Sequence, residues 1–93
     1  MTFGSMVRAA RKGLGLNQEA LLRRMGSHQT SRAYLSKVEL HNEIPSPEMV
    51  IILSYVLGIN PSILIEQARK DSEFNLIQKN NKRWNKALES LEI

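Results

Sequence analysis

The stretch "LGLNQEALLRRMGSHQTSRAYLSKVE", Leu14 to Glu39, contains two short helical patterns joined by a turn. Asn17 is placed to cap the first. Its side-chain oxygen can accept from the unpaired N–H groups of the opening turn, Leu21, Leu22 and Met25 supply an apolar face, and Gly26 allows a left-handed exit. Ser31 is the corresponding cap of the second pattern. There Leu35 and Val38 point inward, while Arg32, Ala33, Ser36 and Lys37 point outward. Ser27, His28, Gln29 and Thr30 stand between the glycine and that cap, a long connection for two helices packed as a pair.

Toward the N-terminus, Phe3, Met6, Val7, Ala10 and Leu14 recur at helical spacing, which predicts a helix from Ser5 to about Lys12, ended by Gly13 and Gly15. Toward the C-terminus, Leu40 to Pro45 reads as loop. Pro45 pushes Ile44 toward an extended conformation, and Ser46, Pro47 and Glu48 supply a cap, a first-turn proline and an acid at the positive end of the helix dipole. The helix they open, running to about Leu57, is apolar on most sides and is expected at the centre of the core. Gly58 closes it, and Asn60 with Pro61 opens a fifth helix near Ser62. No glycine or proline follows Pro61, so two readings stay open: a break around Asp71 and Ser72 before a last helix to about Glu92, or one continuous helix. No repeat, low-complexity tract or convincing strand pattern is visible.

A chain of 93 residues suits one small domain with a single modest core. The absence of cysteine excludes disulfides, thiol catalysis and cysteine-ligated zinc, and is compatible with a reducing compartment such as a bacterial cytoplasm. Met1 to Lys12 lacks the apolar block of a signal peptide, and the longest apolar run, Met49 to Leu53, is too short for a membrane span. A soluble, cytoplasmic protein with no membrane association is therefore expected. All of the +4 net charge lies in residues 1–30, where Arg8, Arg11, Lys12, Arg23 and Arg24 face only Glu19. That placement favours a polyanionic partner, against the plainer reading of a solvated basic surface. No phosphate-cradling glycine loop, metal-ligand cluster or nucleophile–base pairing is present, so neither an enzyme nor a cofactor is predicted. His28 and His41 read as loop residues rather than metal ligands.

Four segments together, "FGSMVRAARK" (Phe3 to Lys12), "LGLNQEALLRRMG" (Leu14 to Gly26), "SRAYLSKVE" (Ser31 to Glu39) and "PSPEMVIILSYVLGINP" (Pro45 to Pro61), resemble the lambda repressor/Cro-like helix-turn-helix regulators, also called the xenobiotic-response-element family. The resemblance implies an all-α chain: a five-helix lambda-repressor-like DNA-binding domain over residues 1–70 and an additional C-terminal helix over 71–93. It implies DNA phosphate contacts at Asn17, Gln18, Ser31 and Tyr34. Arg32, Ala33 and Lys37 match base-facing positions on the recognition helix, with Ser36 on the same side. Arg11 and Glu39 match a structural salt bridge between the first and third helices. The residue chemistry agrees, because Arg32 and Lys37 suit guanine and Ala33 a thymine methyl; the bland alternative is a solvated helix face.

Three features depart from the family. The turn after Gly26 is longer by about three residues, and Leu22 stands where the family prefers alanine. A bulky helix contact relieved by a longer turn would couple the two; contacts to DNA from Ser27 to Thr30 are the alternative. After Glu39 the chain offers Leu40, His41, Asn42 and Glu43 in place of phosphate-gripping basic residues, which predicts a shallower salt dependence.

In the C-terminal segment Phe74, Ile77, Trp84, Leu88 and Leu91 form a stripe at three- and four-residue spacing, interrupted at Asn81. It is expected to form a dimer interface with a second copy, the alternative being fold-back onto the chain's own core. Together these readings predict a sequence-specific, double-stranded DNA-binding transcriptional regulator, a repressor acting as a homodimer on a symmetric operator. The alternative is an antitoxin or other protein-interaction module of the same fold, its C-terminal helix binding a regulatory protein partner.

Overall fold

A computed structural model of the chain describes residues 1–26, 30–75 and 81–91, with the side chains of 73–75 and 81–85 outside the description. The described residues form helices and no strand: α1 (Phe3–Gly13), α2 (Gln18–Arg24), α3 (Arg32–His41), α4 (Pro47–Leu57), α5 (Pro61–Asn75) and α6 (Asn81–Leu91). Four short polar side chains set the first four starts. Thr2, Asn17, Ser31 and Ser46 each accept a hydrogen bond from the backbone N–H three residues on, at 3.2, 2.8, 3.1 and 3.3 Å. Such caps contribute about 1 kcal/mol each. The fifth start is similar in kind, with Asn60 Oδ1 accepting from Ser62 N at 2.9 Å.

Three helix ends differ from the sequence expectation, each for a reachable reason. The first helix begins at Phe3 rather than Ser5, because Thr2 and Ser5 form a reciprocal capping box. The third does not stop near Glu39 but continues to His41, so Leu40 and His41 are helical rather than loop. Asn42 ends it by taking a left-handed conformation, φ 53°. The fifth passes through Asp71 and Ser72, where a break was one of the two readings. Both are held on its inner side: Ser72 is buried, and Asp71 Oδ2 accepts from Phe3 N at 2.7 Å. The continuous helix is also excluded, because α6 packs back against α5 and α4.

The core is one cluster drawn from the first five helices. Phe3 and Val7 of α1, Leu21 of α2, Leu35 and Val38 of α3, Val50, Leu53 and Leu57 of α4, and Leu64, Ile65 and Ala68 of α5 are buried, together with Met25 just past α2. α4 lies at the centre as its composition predicted, although Tyr55 leaves the core and is 69% exposed. Leu14, assigned to the first apolar stripe, lies beyond the end of α1 and is also exposed. Leu22 is partly buried against the cluster; Ser27, His28 and Gln29, the rest of the proposed bulky-contact argument, lie outside the described residues. Ala87, Leu88 and Leu91 of α6 pack on the same cluster.

Candidate nucleic-acid interface

The orientation of α3 is determined from behind by a buried ion pair. Arg11 on α1 donates through Nε to Glu39 Oε2 at 2.7 Å and through Nη2 to Glu39 Oε1 at 2.9 Å. Its remaining nitrogen, Nη1, donates to the Leu16 carbonyl at 2.7 Å, which also ties the segment entering α2. The two side chains are only 10% and 1% exposed. The hydrogen bond to Glu39 raises the Arg11 pKa further above its ordinary value; burial opposes this, and the carboxylate charge adds to it. The guanidinium is thus a permanent charge, matched to its partner in fork geometry.

Gln18, the first residue of α2, extends this network. Its Nε2 lies 3.4 Å from Glu39 Oε1, and its Oε1 accepts from the Ser36 hydroxyl at 3.1 Å. Glu39 therefore touches α1 and α2 at once, and Ser36 joins the outer side of α3 to the same set.

A second anchor holds the far end of α3. Asn42 Oδ1 accepts from Gly4 N at 2.8 Å while its Nδ2 donates to Asp71 Oδ2 at 3.0 Å, and Asp71 Oδ1 accepts from Gln67 at 2.9 Å. The end of α3, the start of α1 and the middle of α5 meet at this one asparagine. Gly4 makes the approach possible, since a Cβ there would collide with the Val38 carbonyl oxygen.

With its inner side and end fixed, α3 presents Arg32, Ala33 and Lys37 to solvent, while Ser36 and Tyr34 are half-buried. Arg32 is 69% exposed and lies 3.9 Å from Glu19, an exposed pairing. Leu40, 62% exposed, follows Ser36 and Lys37 at helical spacing and continues the outward side. The sequence gives no sign of it, because Leu40 and His41 carry no local helix signal beyond Glu39. Asn17 and Ser31 are exposed at the starts of α2 and α3, each with its side-chain oxygen engaged in capping. Tyr34 carries a phenol with a pKa raised first by burial and then by the charge of Glu43, so it remains a neutral hydrogen-bond donor.

The basic excess is modified by the fold. Arg11 is consumed inside by Glu39, leaving Arg8, Lys12, Arg23 and Arg24 exposed in the first third of the chain. The Gln18–Ser36 bond and the Asn42–Asp71 anchor had no counterpart in the sequence reading, since their partners are 18 and 29 positions apart and no local pattern marks them.

Of the stripe assigned to a dimer interface, Leu88 and Leu91 are partly buried against the chain's own core, the fold-back destination. Ile77 and the side chains of Phe74 and Trp84 lie outside the described residues. Among the described residues, no group of three or more His, Asp or Glu side chains is arranged to hold a metal ion. No helix among them is long and apolar enough to cross a membrane.

A family model described as helix-turn-helix matches residues 7–64, from within α1 to the first turn of α5. No curated protein and no solved structure matches the chain.

Proposed function

The chain belongs to the lambda repressor/Cro-like helix-turn-helix family, a family of DNA-binding regulators, and from that premise we propose that it is a sequence-specific, double-stranded DNA-binding transcriptional regulator. One observation carries the reading: an anchored α3 turns Arg32, Ala33 and Lys37 outward, free of the core and, among the described residues, of any tight partner. Arg32 at the first turn can bond guanine O6 and N7 through its fork, Lys37 offers a second donor one to two turns on, and Ala33 suits a thymine methyl. Ser36 lies among them and completes the base-contacting set. Asn17, Gln18, Ser31 and Tyr34 flank this surface and contribute phosphate contacts, with the Tyr34 phenol as donor. Arg11 and Glu39 take no part in contact and act by holding α3 at its angle.

Binding as a homodimer to a symmetric operator is part of the proposal, because two recognition helices about 34 Å apart reach successive major grooves. Repression follows where such an operator overlaps a promoter. Work on DNA in a bacterial cytoplasm is the corresponding location, and neither a cofactor nor catalysis enters the reading.

The test is selection of bound sequences from a random duplex pool, followed by binding at several salt concentrations. Enrichment of paired half-sites, with affinity falling as salt rises, is the expected outcome. Arg32→Ala and Lys37→Ala should each relax one base preference, while Tyr34→Phe should weaken every duplex to the same degree. Uniform losses from all three variants would refute the assigned roles.

A further inference from the structure

The hydrogen bonds behind α3 constrain the chemistry of its outer side as well as its position. Both Glu39 oxygens already accept from Arg11, so the carboxylate offers Gln18 only lone pairs. The Gln18 amide accordingly turns its nitrogen toward Glu39, at 3.4 Å; the reverse orientation would set oxygen against oxygen. Its carbonyl must then face the other way. That carbonyl lies 3.1 Å from the Ser36 hydroxyl, and as it has no proton to give, the hydroxyl is the donor. A hydroxyl carries a single proton. With this proton committed to Gln18, Ser36 has only lone pairs left for anything that approaches from outside.

We propose that Ser36 is a specificity-determining residue that reads DNA as a hydrogen-bond acceptor, selecting a base edge that carries an amino group in the major groove. The inference rests on the DNA-binding function proposed above and adds a direction to one of its contacts. In the major groove the amino donors are adenine N6 and cytosine N4, whereas guanine O6 and N7 and thymine O4 are acceptors that Ser36 would repel. Arg32 and Lys37 carry donors only, so the outer side of α3 presents opposite preferences within two turns. Gln18 is the positioning residue: through Glu39 and Arg11 it converts a buried charge into the orientation of one half-buried hydroxyl.

The experiment is selection from a random duplex pool with the full-length protein and three variants, Ser36→Ala, Ser36→Thr and Gln18→Met. Wild type should show, in each half-site, a position on the contacted strand where adenine or cytosine is preferred over guanine or thymine by about 3- to 10-fold, the scale of one hydrogen bond. Ser36→Ala should flatten that position, and Ser36→Thr, which keeps the hydroxyl, should retain it. Gln18→Met, which also loses a proposed phosphate contact and so weakens every duplex alike, should release the proton and let guanine and thymine recover at that position relative to adenine and cytosine, a ratio that a uniform loss does not change. If Gln18→Met melts below the assay temperature, the Ala and Thr variants decide alone. Three results would overturn the inference: a responding position that favours guanine or thymine, no position responding to Ser36→Ala, or a preference unchanged in folded Gln18→Met. A wild-type protein that enriches no sequence would remove the DNA-reading premise itself, and the inference with it.

Discussion

Two arginine–glutamate pairs reach α3 of this protein, one behind it and one in front. Arg11 and Glu39 meet at 2.7 Å with side chains 10% and 1% exposed; Arg32 and Glu19 stand 3.9 Å apart with side chains 69% and 62% exposed. The chemistry is the same, and burial makes the roles different. Around the inner pair water is excluded, so breaking it strands a charge and the geometry is rigid. Around the outer pair water and ions compete, the attraction is worth about 0–1 kcal/mol, and Arg32 can exchange Glu19 for a base or phosphate. The lesson is that this domain holds a fixed cation inside, against the back of α3, and keeps an exchangeable one outside, where the proposed function would use it.

The largest expected effect is a break of the inner pair. Glu39→Ala should lower unfolding free energy by about 3–5 kcal/mol, measured by denaturant titration, because Arg11 is left charged and uncompensated in the interior. The double change Arg11→Met with Glu39→Leu should cost much less; equal losses would mean that the pair acts through something other than stranded charge. Next comes Gly4→Ala. At an ordinary helix site this exchange gains about 1 kcal/mol, but here the new Cβ meets the Val38 carbonyl and α1 must move off α3, so a loss of about 1–3 kcal/mol is predicted. A gain in melting temperature would show that the two helices are less tightly held than the inner pair implies.

The outer pair should respond differently. Arg32→Ala should change stability by less than about 0.5 kcal/mol while costing about 1–3 kcal/mol of discrimination at one base, read from competition binding. Glu19→Ala should leave stability within about the same 0.5 kcal/mol, and a larger destabilisation would show the outer pair to be structural after all. The smallest effect concerns Tyr34. Its pKa is raised in the fold from an ordinary value of 10.0, so its contribution is fully present below that value and is lost as pH rises through the folded one. Stability measured from neutral pH to above the ordinary tyrosine range should therefore fall at the alkaline end, and Tyr34→Phe should remove the part of the fall that belongs to Tyr34.

Much of the fold was legible because its signals are local. Asn17, Ser31 and Ser46 cap helices as their spacing from the following apolar residues required, and Gly26 and Gly58 take the left-handed conformation at φ 66° and 72°. The outward set Arg32, Ala33 and Lys37 followed from the inward positions of Leu35 and Val38. The third helix was read too short because Leu40 and His41 carry no stop signal, and the residue that ends it, Asn42, is stabilised in its left-handed turn by Gly4 and Asp71 from other helices. The C-terminal stripe was legible as a stripe, but its periodicity could not say what covers it. Leu88 and Leu91 have found the chain's own core, whereas the charge of Arg11, counted with the basic excess, is spent inside.

The sequence by itself determined the first four helices and the start of the fifth, their order, the inward side of the first four and the identity of the outward cations on α3, because capping and hydrophobic period act over a few residues. Only the tertiary structure decided how far α3 runs, where the last helix lies and which way the proton on Ser36 points. Each of these depends on groups brought together from 18 or more positions away, Ser36 with Gln18 and Asn42 with Gly4 and Asp71, and such contacts arise only when packing delivers both partners to one place.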